Sequence, residues 1–242
     1  MAPTESDKRF VFPRWTNLLL PALVVSAVGG PMYAMVVLGF GAAPEAINAG
    51  YQPKQPIPYS HAIHVGQLGI DCRYCHTTVE QTAFAAVPPT ATCMNCHDKV
   101  LTGTRAGSDK DIADIRKRYV PTDEAGQPNP AAHEPIEWVK VHDLPDFVYF
   151  NHAAHVNKGV SCVSCHGRVD QMEVVYQVEP LSMGWCLQCH RKPDDHIRPR
   201  SRVTDLAWDP STATPQEIEE IQWIRGKLKS PRQLSDCSTC HR

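Results

Sequence analysis

All ten cysteines of this 242-residue chain fall into Cys-x-x-Cys pairs, and a histidine directly follows each pair. The five motifs are Cys72-Arg-Tyr-Cys75-His76, Cys93-Met-Asn-Cys96-His97, Cys162-Val-Ser-Cys165-His166, Cys186-Leu-Gln-Cys189-His190 and Cys237-Ser-Thr-Cys240-His241. This is the attachment pattern of c-type haem. Two thiols add across the vinyl groups, and the neighbouring imidazole is placed to bind iron on the proximal side. Zinc ribbons also pair Cys-x-x-Cys motifs, but a tetrahedral zinc site does not require histidine after every second cysteine. A redox-active Cys-x-x-Cys normally occurs once, in a thioredoxin-like βαβ context that is missing here. Structural disulfides would suit an extracytoplasmic domain, yet they leave the histidines unexplained. The pattern therefore predicts five covalently bound haems c. Their attachment residues are Cys72, Cys75, Cys93, Cys96, Cys162, Cys165, Cys186, Cys189, Cys237 and Cys240. Their proximal ligands are His76, His97, His166, His190 and His241.

Composition agrees with interiors filled by cofactor. Hydrophobic residues make up 42%, aromatic residues only 7%, and mean hydropathy is −0.33, so side chains alone promise a modest core. Five porphyrins would supply the missing apolar mass, around which loops and short helices wrap. A net charge of −2 gives no basic surface for nucleic acid.

Between Arg14 and Glu45 no residue is charged. As a helix, Leu18–Phe40 would be about 35 Å long, enough to cross a bilayer. Pro21, Gly29, Gly30 and Pro31 interrupt it, which membrane helices tolerate when neighbours satisfy the freed backbone. Ala42 and Ala43 after the run would suit a cleaved secretory signal, but the run is longer than a signal's apolar region. The expectation is a retained single-pass anchor. Lys8, Arg9 and Arg14 before it, against Lys54 alone soon after it, put the N-terminus in the cytoplasm and the haem domain on the periplasmic side.

Seven histidines remain outside the motifs: His61, His64, His133, His142, His152, His155 and His196. Four form His-x-x-His pairs, Tyr59-Ser-His61-Ala-Ile-His64 and Phe150-Asn-His152-Ala-Ala-His155, each just ahead of a haem motif. Val79-Glu80-Gln81 and Val169-Asp170-Gln171 follow the respective motifs, and a second motif follows each of these. The chain reads as a duplication with a fifth haem appended. Two imidazoles three residues apart on one turn can point at different irons. The arrangement resembles class III and trihaem cytochrome c modules, in which the first histidine ligates the following haem and the second reaches another. That resemblance implies His61, His64, His152 and His155 as distal ligands. For the fifth, His142 is the choice, ten residues ahead of the second pair. Met183 is the rival: thioether ligation would raise one haem's potential, though Met is also a common packing residue. His133 and His196 read as exposed or close to haem propionates, which Arg73, Arg168, Arg191 and Arg198 are placed to meet.

Ser108–Tyr119 reads as a short helix capped by Ser108, with Ile112, Ile115 and Tyr119 on one face. Thr214-Pro215-Gln216-Glu217 is a capping-box start, and an apolar face follows until Pro231. The expected organisation is a cytoplasmic tail (1–14), an anchor (15–43), a first two-haem module (44–120) and a linker (121–140). A second two-haem module (141–200) and a C-terminal helix with the fifth haem (201–242) complete it.

Taken whole, the chain resembles the pentahaem cytochrome c subunit of alternative complex III, a bacterial quinol-oxidising complex of respiratory or photosynthetic chains. The residues carrying this are Gly50–His61, Gly69–His76, Thr92–His97, the Val141–His152 run and Leu181–Cys186. The resemblance implies an iron–sulfur/molybdopterin-like partner subunit, quinol-binding integral membrane subunits and a monohaem cytochrome c. It implies a relay with no catalysis of its own, handing electrons to a periplasmic cytochrome c, blue copper or high-potential iron–sulfur protein. The alternative is a stand-alone quinol dehydrogenase of the NapC/NrfH type, which also joins one anchor to several c haems. That family has Met soon after its first motif, whereas His76 is followed by Thr77-Thr78-Val79.

Overall fold

The computed structural model describes residues 12–41, 48–98, 108–120, 123, 125–129 and 132–241. The tail before Phe12, the anchor boundary at 43–44, the cap side chain of Ser108 and the start of the linker at 121–122 lie outside them. The chain divides into two compact units, 1–47 and 48–242.

In the first unit, a 3-10 turn at Arg14–Leu18 runs into helix α1, Leu19–Val36, which continues as a π-helical turn over Val37–Gly41. Arg14–Gly39 is long and apolar enough to span a membrane, and none of its window is buried inside the protein. Apolar side chains stand outward all round, as a lipid-facing helix requires. Pro31 sits inside α1.

The second unit is short helices joined by loops. Helices α2 (Cys72–Cys75), α3 (Thr90–His97), α6 (Val163–His166), α7 (Met183–Arg191) and α10 (Cys237–Cys240) each carry one haem motif. Their starts follow from local chemistry: Asp71, Ser182 and Asp236 accept hydrogen bonds from Arg73, Trp185 and Ser238 backbone N–H groups, satisfying orphan donors of the first turn. Between them lie α4 (Ser108–Tyr119), α5 (His152–Val156), α8 (Pro215–Arg225) and α9 (Pro231–Leu234). The expected capping box at Thr214 and Glu217 is present. Pro231, expected only to end an apolar face, instead opens α9, with a second capping box at Ser230 and Gln233. Its fixed φ suits the first helical position as well as it suits a stop.

Among the described residues the apolar core is three small clusters. Ile197, Trp208, Ile221 and Ile224 hold α8. Ile57, Met94 and Ile115 join α3 to α4, and Ile136 and Trp138, from the far end of the stretch read as linker, pack on them. Val79, Val156 and Val203 form the third, with Cys162 against it. Gly159 lets the loop after α5 close: its φ is +79° and a Cβ there would strike the Arg198 carbonyl oxygen, so only glycine satisfies both constraints.

Candidate haem centres

Histidines that bind iron must be neutral and must present a lone pair in a fixed direction. Six imidazoles are held in a fixed direction. Each donates Nδ1–H to a backbone carbonyl: His64 to Ser60 (2.8 Å), His76 to Ala86 (2.7 Å), His152 to Ala83 (2.8 Å), His155 to Asn151 (2.8 Å), His190 to Leu234 (2.8 Å) and His241 to Phe147 (3.0 Å). A carbonyl can only accept, so the proton is on Nδ1 and the lone pair on Nε2. His61 Nδ1 and His142 Nε2 are buried with no hydrogen-bond partner.

Burial lowers the pKa of four histidines. It pulls His166 down to about 3, helped by His142, His152, His76 and His61. It brings His61 down to about 4, helped by His76 and then His64. His142 and His155 are lowered by burial too, His155 against the opposing hydrogen bond to Asn151.

Metal–imidazole bonds of about 2 Å put two rings on one metal roughly 6 Å apart, centre to centre. Three pairs stand at that spacing: His64 and His97 at 6.1 Å, His152 and His166 at 6.4 Å, and His155 and His190 at 6.1 Å. Each joins a His-x-x-His residue to a motif histidine. His61 lies close enough to His76 for their charges to oppose each other. His142 is different. Its ring stands edge-on to His166 at 4.3 Å, too close for a metal between those two. Met183 opens α7 and is 69% exposed, and both His133 and His196 are exposed.

None of the ten cysteines is disulfide-bonded. Burial raises five of their thiols, Cys165 to about 12 and Cys75, Cys93, Cys186 and Cys189 in the same direction. Among the described residues no group of three or more His, Cys, Asp or Glu could hold a bare metal ion. Paired axial imidazoles beside paired thiols fit haem, which takes two protein donors at iron and two covalent tethers. Of the arginines read as facing propionates, Arg73 pairs with Glu80 (3.1 Å), Arg168 with Asp170 (2.6 Å), and Arg198 donates to the Asp205 carbonyl (3.0 Å).

The sequence reading missed the platforms behind the second histidine of each pair. Tyr59 stacks on His64 at 4.4 Å and Phe150 on His155 at 4.6 Å, both tilted 24°. The signal was there as an aromatic residue two places before each His-x-x-His.

Residues 148–242 match the family model described as cytochrome c7 and related cytochrome c. The matched stretch carries the motifs at Cys162, Cys186 and Cys237, so this part of the chain is similar to multihaem c-type cytochromes. A similar protein is the "Menaquinone reductase, multiheme cytochrome c subunit" of Nitratidesulfovibrio vulgaris, 36% identical over 131 residues, or 54% of this chain and 53% of that one. The chain thus spans about half the length of the curated relative it matches.

Proposed function

We propose that this chain is a membrane-anchored wire of five haems c. It carries electrons from a quinol-oxidising complex of the alternative complex III type to a periplasmic carrier. The observation that carries the proposal is the set of histidine pairs spaced for one iron, each tying a duplicated His-x-x-His to a Cys-x-x-Cys-His. In this reading His61, His64, His152 and His155 are the distal ligands of the haems at His76, His97, His166 and His190. His142 supplies the fifth, because its Nε2 is buried without a partner, whereas Met183 is exposed. Bound haem supplies reversible one-electron chemistry. The chain's own residues fix the tautomers and shield the rings, leaving no position set aside for a substrate. The helix Arg14–Gly39 holds the haem domain on the periplasmic face, beside iron–sulfur and quinol-binding subunits.

A second reading reverses the flow. The relative's name says menaquinone reductase, and a wire of the same build would then feed electrons into a complex that reduces menaquinone.

Gentle detergent purification from native membranes, followed by haem staining and mass spectrometry, tests the assembly. Stoichiometric iron–sulfur and polytopic subunits are expected; recovery of the chain alone would favour the stand-alone dehydrogenase. Quinol-driven reduction of a periplasmic carrier by the complex supports the first direction. Menaquinone reduction by a reduced carrier, without the opposite activity, supports the second.

A further inference from the structure

The two halves meet through equivalent atoms. Counted from the motifs, Ala62 corresponds to Ala153, and Thr82 to Met172. The Ala62 N–H donates to the Met172 carbonyl (3.0 Å), and the Ala153 N–H donates to the Thr82 carbonyl (3.1 Å). Gly66 lies so close to the Asp170 carbonyl that a Cβ would collide with its oxygen. At the matching place in the other half, the Asn157 side-chain amide donates to the Glu80 carbonyl (2.8 Å). Contacts exchanged reciprocally in this way are the mark of a twofold axis, here a local one between two halves of one chain.

On such an axis, equivalent residues meet their own counterparts. The Cys72 and Cys162 side chains are neighbours at this joint. Each belongs to the first cysteine of the first motif in its half. Around them Val79 from one half packs with Val156 from the other, and Val203 accepts from the Cys162 N–H (3.2 Å) while Thr204 donates to Asp71 (2.8 Å).

The links outward from this joint are also on the structure. Asn95 of the Cys93 motif donates to the Tyr74 hydroxyl of the Cys72 motif (2.9 Å). His152 and His155, on one turn, reach His166 and His190 respectively. His190 of the Cys186 motif is held by the Leu234 carbonyl, just ahead of the Cys237 motif.

We propose that the duplication sets the Cys72 and Cys162 motifs against each other on this local axis, so that their haems are direct neighbours. Electrons then cross the protein through the motifs in the order Cys93, Cys72, Cys162, Cys186, Cys237, or its reverse. The order in space therefore differs from the order in sequence, and it rests on the five-haem reading above. Each transfer moves one electron from a reduced centre to its oxidised neighbour, with no bond made or broken. The quinol and the periplasmic carrier are the terminal donor and acceptor.

The test uses the full-length, haem-loaded protein in detergent. Replacing an imidazole by a thioether raises a haem potential, so His152→Met and His155→Met each mark one centre that can be reduced first. Subtracting the spectrum of His61→Ala identifies the electron paramagnetic resonance signal of the Cys72-motif haem. Selective reduction of the marked centre in His152→Met is expected to change that signal, because a neighbouring spin is lost. The same operation in His155→Met is expected to leave it unchanged. The opposite pattern, or no change in either variant, overturns the proposed order. Gly66→Ala probes the joint without touching a ligand and is expected to alter the same signal with all haems retained; an unaltered signal counts against the joint. Haem content by intact mass separates the two levels: fewer than five haems in the unmodified protein overturns the five-haem reading, whereas five haems without this coupling overturns only the order.

Discussion

The His155 and His190 rings face each other at 6.1 Å, the first held by the Asn151 carbonyl and the second by the Leu234 carbonyl. Both Nε2 atoms are thereby left free, on rings at the spacing of two imidazoles on one iron. His155→Ala should convert one haem from low-spin to high-spin, without loss of its covalent attachment, and open it to carbon monoxide when reduced. Absorbance and electron paramagnetic resonance check this; a fully low-spin spectrum would remove His155 from the ligand set.

Tyr59 and Phe150 should act as a matched pair. Each stacks on the second histidine of its His-x-x-His at the same tilt, and such aromatic contacts contribute roughly 1 kcal/mol. Tyr59→Leu and Phe150→Leu should each lower the melting temperature by a few degrees with haem content unchanged. Tyr59→Phe should keep the stack and lose little. A large drop for one Leu variant and none for the other would argue against equivalent roles.

Two glycines make contrasting predictions. Gly66 has no room for a Cβ beside Asp170, whereas nothing approaches Gly184, inside α7, within 4 Å. Gly66→Ala should destabilise by about 1–3 kcal/mol, as overpacking does. Gly184→Ala should be neutral or stabilise by up to about 1 kcal/mol, since alanine has less freedom to lose. Thermal unfolding of the haem-loaded variants would decide, and equal effects would refute the close approach at Gly66.

What the sequence disclosed was short-range chemistry. A Cys-x-x-Cys-His carries its own tethers and proximal ligand within one turn, so Cys72–His76 and its four counterparts are legible without a fold. The His-x-x-His pairs are legible for the same reason, and so is the capping box at Thr214 and Glu217. The partners that aim the rings are not. Ala83, Ala86, Leu234 and Phe147 contribute backbone carbonyls, and a carbonyl leaves no mark on residue type. His152 finds its acceptor 69 positions away, a separation that no local pattern encodes. The reciprocal joint was hidden likewise: Ala62, Thr82, Ala153 and Met172 look unremarkable in sequence because only their main chains take part.

In the proposed reading His142 and Met183 compete for one distal position, and their surroundings in the structure differ. His142 is half-buried, which lowers its pKa, and its Nε2 has no hydrogen-bond partner, while Met183 is exposed at the start of α7. His142→Ala should therefore leave one haem high-spin, and Met183→Leu should leave every haem low-spin with its midpoint unchanged. A high-spin haem in Met183→Leu alone would transfer the role to the thioether.

The anchor gives the last prediction. Arg14–Gly39 carries no burial within the protein across its apolar window, and in the proposed reading lipid or partner helices surround it. Haem attachment takes place on the periplasmic side in this reading, so residues 1–47 cannot simply be deleted. Replacing them by a cleavable secretory signal should release the haem domain into the periplasm with its covalent haem complement intact. Fractionation followed by haem staining would show a soluble band about 5 kDa lighter, near the mass of 47 missing residues in a chain of 242 residues and 26.9 kDa. If the haem domain instead stayed with the membrane at full strength, contacts made by residues 48–242 would be holding it there, and partner subunits would be sought on that surface.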